Sequence, residues 1–277
     1  MLKDGARFLA VNADDFGFTR DVNAGIVEAH LNGILTSTTL MANGREFDDA
    51  ARLAREHSTL DVGVHFVLVG GRSLLDPSRE FPYTVSGLIQ AMALRRIRVY
   101  DELRAQIVKV VEAGIQPTHV DAHKHTHLLP PVLDAVARLA EEFGVRWVRR
   151  PFDFPLTGSP DEVPWQTRLV SLAFNGVRGH FHRALARRHC STTDWFAGFQ
   201  ITGRFGPHSV VHLLDHLPPG TTEFMVHPGF CSAELLAART RLKASREREL
   251  EALLDREVRA AVERNGIRLT GYGRMPG

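Results

Sequence analysis

The chain has little to staple or anchor it. Its 277 residues include two cysteines, Cys190 and Cys231, too few for a thiolate zinc site, which read as ordinary thiols of a reducing compartment. No stretch approaches the roughly 20 consecutive apolar residues of a membrane-spanning helix. The first apolar run, Phe8-Leu9-Ala10-Val11, passes straight into Asp14-Asp15, so no secretory leader is expected and the reading is a soluble cytoplasmic protein. Neither sign of charge dominates: 34 Lys and Arg against 32 Asp and Glu leave +2, too little for the electrostatic footprint of a nucleic-acid binder. Internal repeats and low-complexity segments are missing as well. Present instead are 44% hydrophobic and 24% charged residues, a globular average that excludes disordered and fibrous classes. The unusual entry in the composition is 14 histidines.

Short apolar runs alternate with helically spaced segments. Residues 8–11 read as a strand, and Val22, Ile26 and Ala29 as a helix stopped by Gly33, with further strands at 34–41 and 61–66 around a helix at 47–57. A helix at 100–113 closes on Gly114, a strand starts at Thr118, and Pro131 opens a helix that closes on Gly144. Later strands are expected at 146–149, 222–226 and 267–270, with one long charged helix from 235 to 265. About six or seven such units imply right-handed crossovers, a mostly parallel sheet and, at this length, a single barrel-sized domain over residues 1–277. Two stretches interrupt the beat, an insertion at 70–98 and a Pro-, Asp- and Gly-rich loop at 151–164, and long barrel loops commonly form a substrate face.

Chemistry is concentrated at strand ends. Across His119, Asp121, His123, His125 and His127 every second residue is acidic or imidazole, so a strand would put all five on one side; a helix would align His119, His123 and His127. The flanking prolines favour a strand running into a loop. Crowded imidazoles cannot all be protonated comfortably, and a divalent metal with hydrogen-bonded partners is the usual resolution. Asp14-Asp15 follows the first strand, where one carboxylate can bind a cation while the other takes a proton from water; helix capping by one of them is the plainer alternative. Asp15-Phe16-Gly17 also spells a kinase signature, excluded because nothing ahead of residue 15 can supply the Gly-rich loop, lysine or catalytic loop. His65 and His227 each end a further apolar strand. Four strands ending in Asp or His fit one convergent face better than four independent accidents.

The 165–189 segment sets Leu169, Leu172, Phe174, Val177, Phe181 and Leu185 among Arg168, Arg178, Arg183, Arg187 and Arg188. It reads as a core-facing helix pair with a solvated basic side, weakened as a single helix by Gly176 and Gly179. The alternative is a basic amphipathic surface that rests on anionic lipid or guides a lipid-linked substrate.

With Asn12-Ala13-Asp14-Asp15-Phe16-Gly17, Gly63-Val64-His65-Phe66, the 119–127 cluster and His227-Pro228-Gly229 in order, the chain resembles the YdjC-like carbohydrate deacetylases over almost its whole length. The 34–39 strand and the 67–75 stretch look especially like the branch associated with hopanoid biosynthesis. The resemblance implies a distorted TIM-like α/β barrel and one divalent metal held by Asp15, His65 and His123, with Asp14 as the base. In that branch the expected substrate is an N-acetylglucosaminyl hopanoid; sister members act on chito-oligosaccharides or other acetylated amino sugars. One carboxylate and two imidazoles leave open coordination positions, as a catalytic site requires, and are compatible with Zn, Mn, Co, Ni or Mg. His227 and His125 are the candidates to protonate the leaving amine, Asp121 and His127 to orient the ligands, and His119 and Phe16 to support them or contact substrate. A metal-dependent phosphoesterase and a non-catalytic metal- or lipid-binding protein are the competing classes. Peripheral contact with the inner face of the membrane and a homo-oligomer are compatible with every reading.

Overall fold

The computed structural model describes residues 5–156 and 162–276. In chain order the elements are β1 (Arg7–Phe16), α1 (Arg20–Asn32), β2 (Ser37–Leu40), α2 (Phe47–Glu56), β3 (Asp61–Phe66), α3 (Val85–Ala93), α4 (Val99–Glu112), β4 (His119–Ala122), α5 (Pro130–Glu142) and β5 (Trp147–Val148). There follow α6 (Trp165–Ala186), β6 (Trp195–Ala197), α7 (Pro207–Asp215), β7 (Gly220–Val226), α8 (Ala233–Ala237), α9 (Ala244–Leu254), α10 (Arg256–Arg264) and β8 (Ile267–Leu269). The strands run β5-β4-β3-β2-β1-β7-β6 across one curled sheet, with β8 against the lower half of β1, and every strand-to-strand register is parallel. Single parallel bridges join Trp147 of β5 to Ser191, ahead of β6, and Phe196 of β6 to Asp153, beyond β5. The result is the distorted, TIM-like α/β barrel that alternating strands and helices imply.

The helices bury their apolar stripes against the outside of this sheet, as with Val22, Ile26 and Ala29 of α1 or Val132, Val136 and Leu139 of α5, all fully buried. The inside is polar. His119 Nε2 meets Asn12 Oδ1 at 2.8 Å, a contact that spans the barrel because β2 and β3 separate β1 from β4 in the sheet. A methyl group on Gly63 would sit 2.4 Å from the His119 carbonyl, so the missing side chain on β3 makes room for that ring. Tyr272 stacks on the other face of His119 with ring centroids 4.0 Å apart, and together with Ala10, Trp147 and Met275 it forms a small apolar cluster.

Three expectations change. The segment expected as one charged helix over 235–265 is three helices, interrupted at 238–243 and again at Asp255, whose carboxylate caps α10 through the Glu257 and Val258 amides. The 165–189 segment, expected as a helix pair, is instead the continuous 22-residue α6: Gly176 and Gly179 lower its propensity without breaking it, because Phe181 and Leu185 hold its second half in the core. The 70–98 insertion contains α3. Of the 151–164 loop, residues 157–161 lie outside the described residues. Among the described residues no helix is long and apolar enough to cross a membrane.

Candidate active site

The functional side chains stand where parallel strands end. β1 runs through the acidic pair to Phe16 instead of ending at Val11. Its register against β2 slips between Ala13 and Phe16, and Asp15 takes a left-handed φ of 69°. This is a bulge: the extra residue breaks the alternation that would send adjacent side chains to opposite faces. Both carboxyls are therefore buried, each 4% exposed. β4 keeps its period-two pattern only through His119 and Asp121. At His123 the chain leaves the strand for a 3-10 turn, in which Lys124 and His125 are also left-handed, so the five-residue alternation expected over 119–127 does not continue.

Three side chains converge. His123 Nδ1 lies 3.2 Å from Asp15 Oδ1 and 3.2 Å from His65 Nε2, and His65 Nε2 is 3.5 Å from the same carboxylate oxygen. Ligand atoms about 2.0–2.2 Å from a common divalent ion stand roughly 3.0–3.5 Å from one another, so the triangle has the edges a metal requires. Asp15 Oδ1 is buried without a hydrogen-bond partner, the state expected of an atom whose partner is a cation. His65 Nδ1 is 2.6 Å from Asp121 Oδ1, and Thr39 Oγ1 lies 3.2 Å from that nitrogen. A carboxylate behind a ligating imidazole fixes its tautomer and turns the other nitrogen toward the metal. These residues can hold a divalent ion, with open positions for water and substrate. A second grouping, Asp14, His65 and Asp121, is already served by a protein cation: Arg149 pairs with both of its carboxylates.

That arginine escapes sequence reasoning, although its place at the end of the fifth strand was a signal. Arg149 is 1% exposed and forks onto Asp14 with Nη1 to Oδ2 at 2.8 Å and Nη2 to Oδ1 at 2.6 Å. It also donates through Nε to Glu223 at 2.7 Å. Burial opposes charge on Asp14, but the Arg149 guanidinium, helped by His65 and His227, holds its carboxyl well below the usual range. A second buried arginine serves the neighbouring carboxylate: Arg246 Nη2 is 2.5 Å from Asp15 Oδ2. It outweighs the burial of Asp15, with His123 and His65 adding to the pull, and keeps that carboxyl well below its ordinary value. Because Arg246 occupies Oδ2, only Oδ1 of Asp15 faces the two imidazoles.

The other candidates are placed as follows. His227 Nε2 lies 3.8 Å from Asp14 Oδ2; burial, with Arg246 and Arg149 nearby, lowers the ring to about 4 against the pull of Asp14 and Asp15. His125 points into an aromatic nest of Phe174, Phe196 and Phe199, and burial holds it well below its ordinary value. His127 Nε2 meets the Arg149 carbonyl at 3.1 Å, beneath Phe181. His119 belongs to the barrel interior, not to the triangle, and Phe16 is fully buried in the apolar core. Glu249 of α9 accepts the His227 amide at 2.6 Å and the Gly203 amide at 2.7 Å.

Two expected outcomes follow from this geometry. His65→Ala or His123→Ala should abolish stoichiometric metal binding by calorimetry, whereas His125→Ala should leave it intact. Burial raises Glu249 to about 7 despite its two amide donors, so between pH 7 and its ordinary value near 4.5 the folded state holds a proton the unfolded chain lacks. That proton adds stability as pH falls, up to about 1.4 kcal/mol per unit. The melting temperature of Glu249→Gln should therefore drop progressively further below wild type from pH 7 to 5; parallel curves would refute the shift.

Comparison with known proteins identifies the family. The family model described as YdjC-like protein matches residues 8–264. The chain is 34% identical over 273 residues to a carbohydrate deacetylase of Geobacillus stearothermophilus, covering 96% of this chain and 97% of that one. It is 32% identical over 275 residues to a chitooligosaccharide deacetylase of Salmonella typhimurium, covering 95% and 96%. Among solved structures, a candidate cellobiose-phosphate cleavage protein of Enterococcus faecalis V583 superposes with a TM-score of 0.76 at 26% identity, covering 97% of this chain and 98% of that chain. With the family model spanning nearly its whole length and relatives matched end to end, the chain belongs to the YdjC-like family.

Proposed function

We propose that this chain is a metal-dependent carbohydrate deacetylase that hydrolyses the N-acetyl group of an N-acetylglucosamine-bearing substrate, releasing acetate and the free amino sugar. The observation that carries the reading is the triangle of Asp15, His65 and His123 with an ionised Asp14 beside it. A cation store or a lipid carrier has no use for that neighbouring carboxylate. A divalent metal bound there supplies Lewis acidity, polarising the acetamide carbonyl and acidifying water.

The protein's own groups divide the proton work. Asp14 is ionised at any working pH and accepts the proton of the attacking water at a carboxylate oxygen. Arg149, forked onto both of its oxygens, makes it a weak base, so the proton moves on readily. His227 is neutral near pH 7, which its lowered value of about 4 ensures, and its Nε2 stands 3.8 Å from Asp14 Oδ2. It can take up the proton and deliver it to the departing amine. This favours His227 over His125, whose ring is enclosed by phenylalanines. Asp121 and Thr39 hold His65, His127 braces the Arg149 carbonyl, and the whole chain acts as one catalytic unit.

The narrower substrate we propose is an N-acetylglucosaminyl hopanoid, met in the cytoplasm at the inner face of the membrane; the 34–39 and 67–75 stretches support that branch. The names of the Salmonella and Geobacillus relatives equally support a chito-oligosaccharide or another acetylated amino sugar. The test is mass spectrometry of the purified protein, supplied with Zn, Mn, Co, Ni or Mg, against a GlcNAc-bearing hopanoid and a chito-oligosaccharide side by side. Loss of one acetyl group from the hopanoid alone fixes both reaction and branch. Loss from the sugar alone keeps the reaction and discards the lipid, and loss from neither removes the deacetylase reading.

A further inference from the structure

The longest helix of the chain carries two apolar stripes on opposite sides. The inner stripe of α6, Phe174, Val177, Phe181 and Leu185, packs against the core. The outer stripe lies at Trp165, Leu169 and Leu172, spaced to share one helix face, and these side chains are 67%, 54% and 65% exposed. Single exposed apolar residues need no explanation, but three in line on a helix that already buries another face do. About five turns beyond Trp165 the same line reaches Arg183, with Arg187 just after it, and Arg168 flanks the stripe; all three arginines are exposed.

The charge of this region is one-sided. Between Glu162 and Asp194 there is no carboxylate, while Arg168, Arg178, Arg183, Arg187 and Arg188 fall there together with three histidines. In a chain whose charges otherwise nearly cancel, this segment is a positive island on a balance that is elsewhere negative. An outward apolar stripe continued by arginines on a helix without acidic groups matches the boundary between lipid headgroups and acyl chains: the Trp and Leu side chains enter the boundary and the guanidiniums meet phosphates. A second copy of the same face fits poorly, because it would offer Arg168, Arg183 and Arg187 no carboxylate.

From this we infer that α6 docks the protein on an anionic lipid surface, with Trp165, Leu169 and Leu172 inserted and Arg168, Arg183 and Arg187 on the headgroups. The helix also borders the candidate site. Phe174, on the opposite stripe of the same helix, meets the His125 ring edge-on with centroids 5.8 Å apart, two residues beyond His123, so one helix separates the docked face from the neighbourhood of the triangle. In that respect the inference extends the lipid-linked reading proposed above, and it names the surface that would serve it.

The experiment is co-sedimentation of the full chain with vesicles of equimolar phosphatidylcholine and phosphatidylglycerol, or of phosphatidylcholine alone, with Trp emission read alongside. Trp165 is the exposed tryptophan: Trp147 is 5% exposed and Trp195 donates its Nε1 proton to the Pro219 carbonyl at 3.0 Å. Binding to the anionic vesicles, a blue shift that is absent in Trp165→Phe, and a loss of about tenfold or more in Leu169→Asp/Leu172→Asp and in Arg183→Gln/Arg187→Gln are expected. No binding, equal binding to both vesicle types, or binding that survives both double variants would overturn the proposal. So would a wild type that runs as a dimer and becomes a monomer in Leu169→Asp/Leu172→Asp, because the face would then be occupied by a second copy. Vesicle binding needs no sugar substrate. A protein that binds without deacetylating keeps this surface and loses the deacetylase reading, while one that deacetylates a soluble chito-oligosaccharide without binding loses this surface alone.

Discussion

Asp14→Asn should lower kcat by about 10²–10⁴ while leaving metal content at the wild-type level. The fold should survive, because Arg149 keeps Asp121 and Glu223 as partners and the amide is nearly isosteric. The metal should stay because the ligands proposed for it are Asp15, His65 and His123, which together could hold an ion without Asp14. What disappears is, among the described residues, the carboxylate that lies beside the triangle, ionised and 3.8 Å from the neutral imidazole of His227. Steady-state kinetics on a chito-oligosaccharide, with metal quantified on the same preparation, decide the matter. Near-native turnover would remove Asp14 from the role of base.

Arg149→Met should have the largest effect on stability. One guanidinium serves Asp14, Asp121 and Glu223, all of them 4% exposed or less. Its removal takes the shared arginine from three buried carboxyls, and breaking even a single buried pair costs about 3–5 kcal/mol. Some of the penalty is avoided by protonation, which shifts the loss toward high pH. For a chain of this size the melting temperature should fall by on the order of 10 °C, more at pH 8 than at pH 6. Arg149→Lys should recover little, since one ammonium cannot reproduce the fork onto Asp14. A melting temperature within a degree or so of wild type would show the interior to be wetter than the structure implies.

The two arginines mark the limits of the sequence as a guide. The fold was legible because it rests on periodicity: apolar strand runs, Pro-opened helices and Gly stops all report local backbone demands. The candidate cluster was legible for a related reason, since carboxylates and imidazoles at strand ends share one end of a parallel sheet; the choice of Asp15, His65 and His123 within it came from the family resemblance and not from the pattern. Arg149 carries the same positional signal, yet a terminal arginine on a short strand looks like solvated charge. Arg246 and Glu249 carry none. They sit in the Arg- and Glu-rich stretch of α9, where charge reads as surface, and each is 1% exposed. Their burial depends on partners 231 and 22 residues away, which no local pattern records. The bulge at Asp15 was hidden too, because it depends on the register of β2 and not on residue type.

The seating of β1 also bears on synthesis. Its first residues pair with β7 on one side and β8 on the other, Arg7 with both Gly220 and Ile267. The second half of β1 thus finds β2, the next strand of the chain, at once, whereas its first half waits for β7 and β8, made after all the strands between. All three candidate ligands emerge by residue 123, well ahead of the cation that occupies Oδ2 of Asp15. Until β7 and Arg246 follow, one edge of β1 and Oδ2 of Asp15 lack the partners they have in the complete fold. Pairing between segments so far apart in sequence carries a large loop-closure cost, so the joining of β1 to β7 and β8 is expected to be a late and slow step of folding.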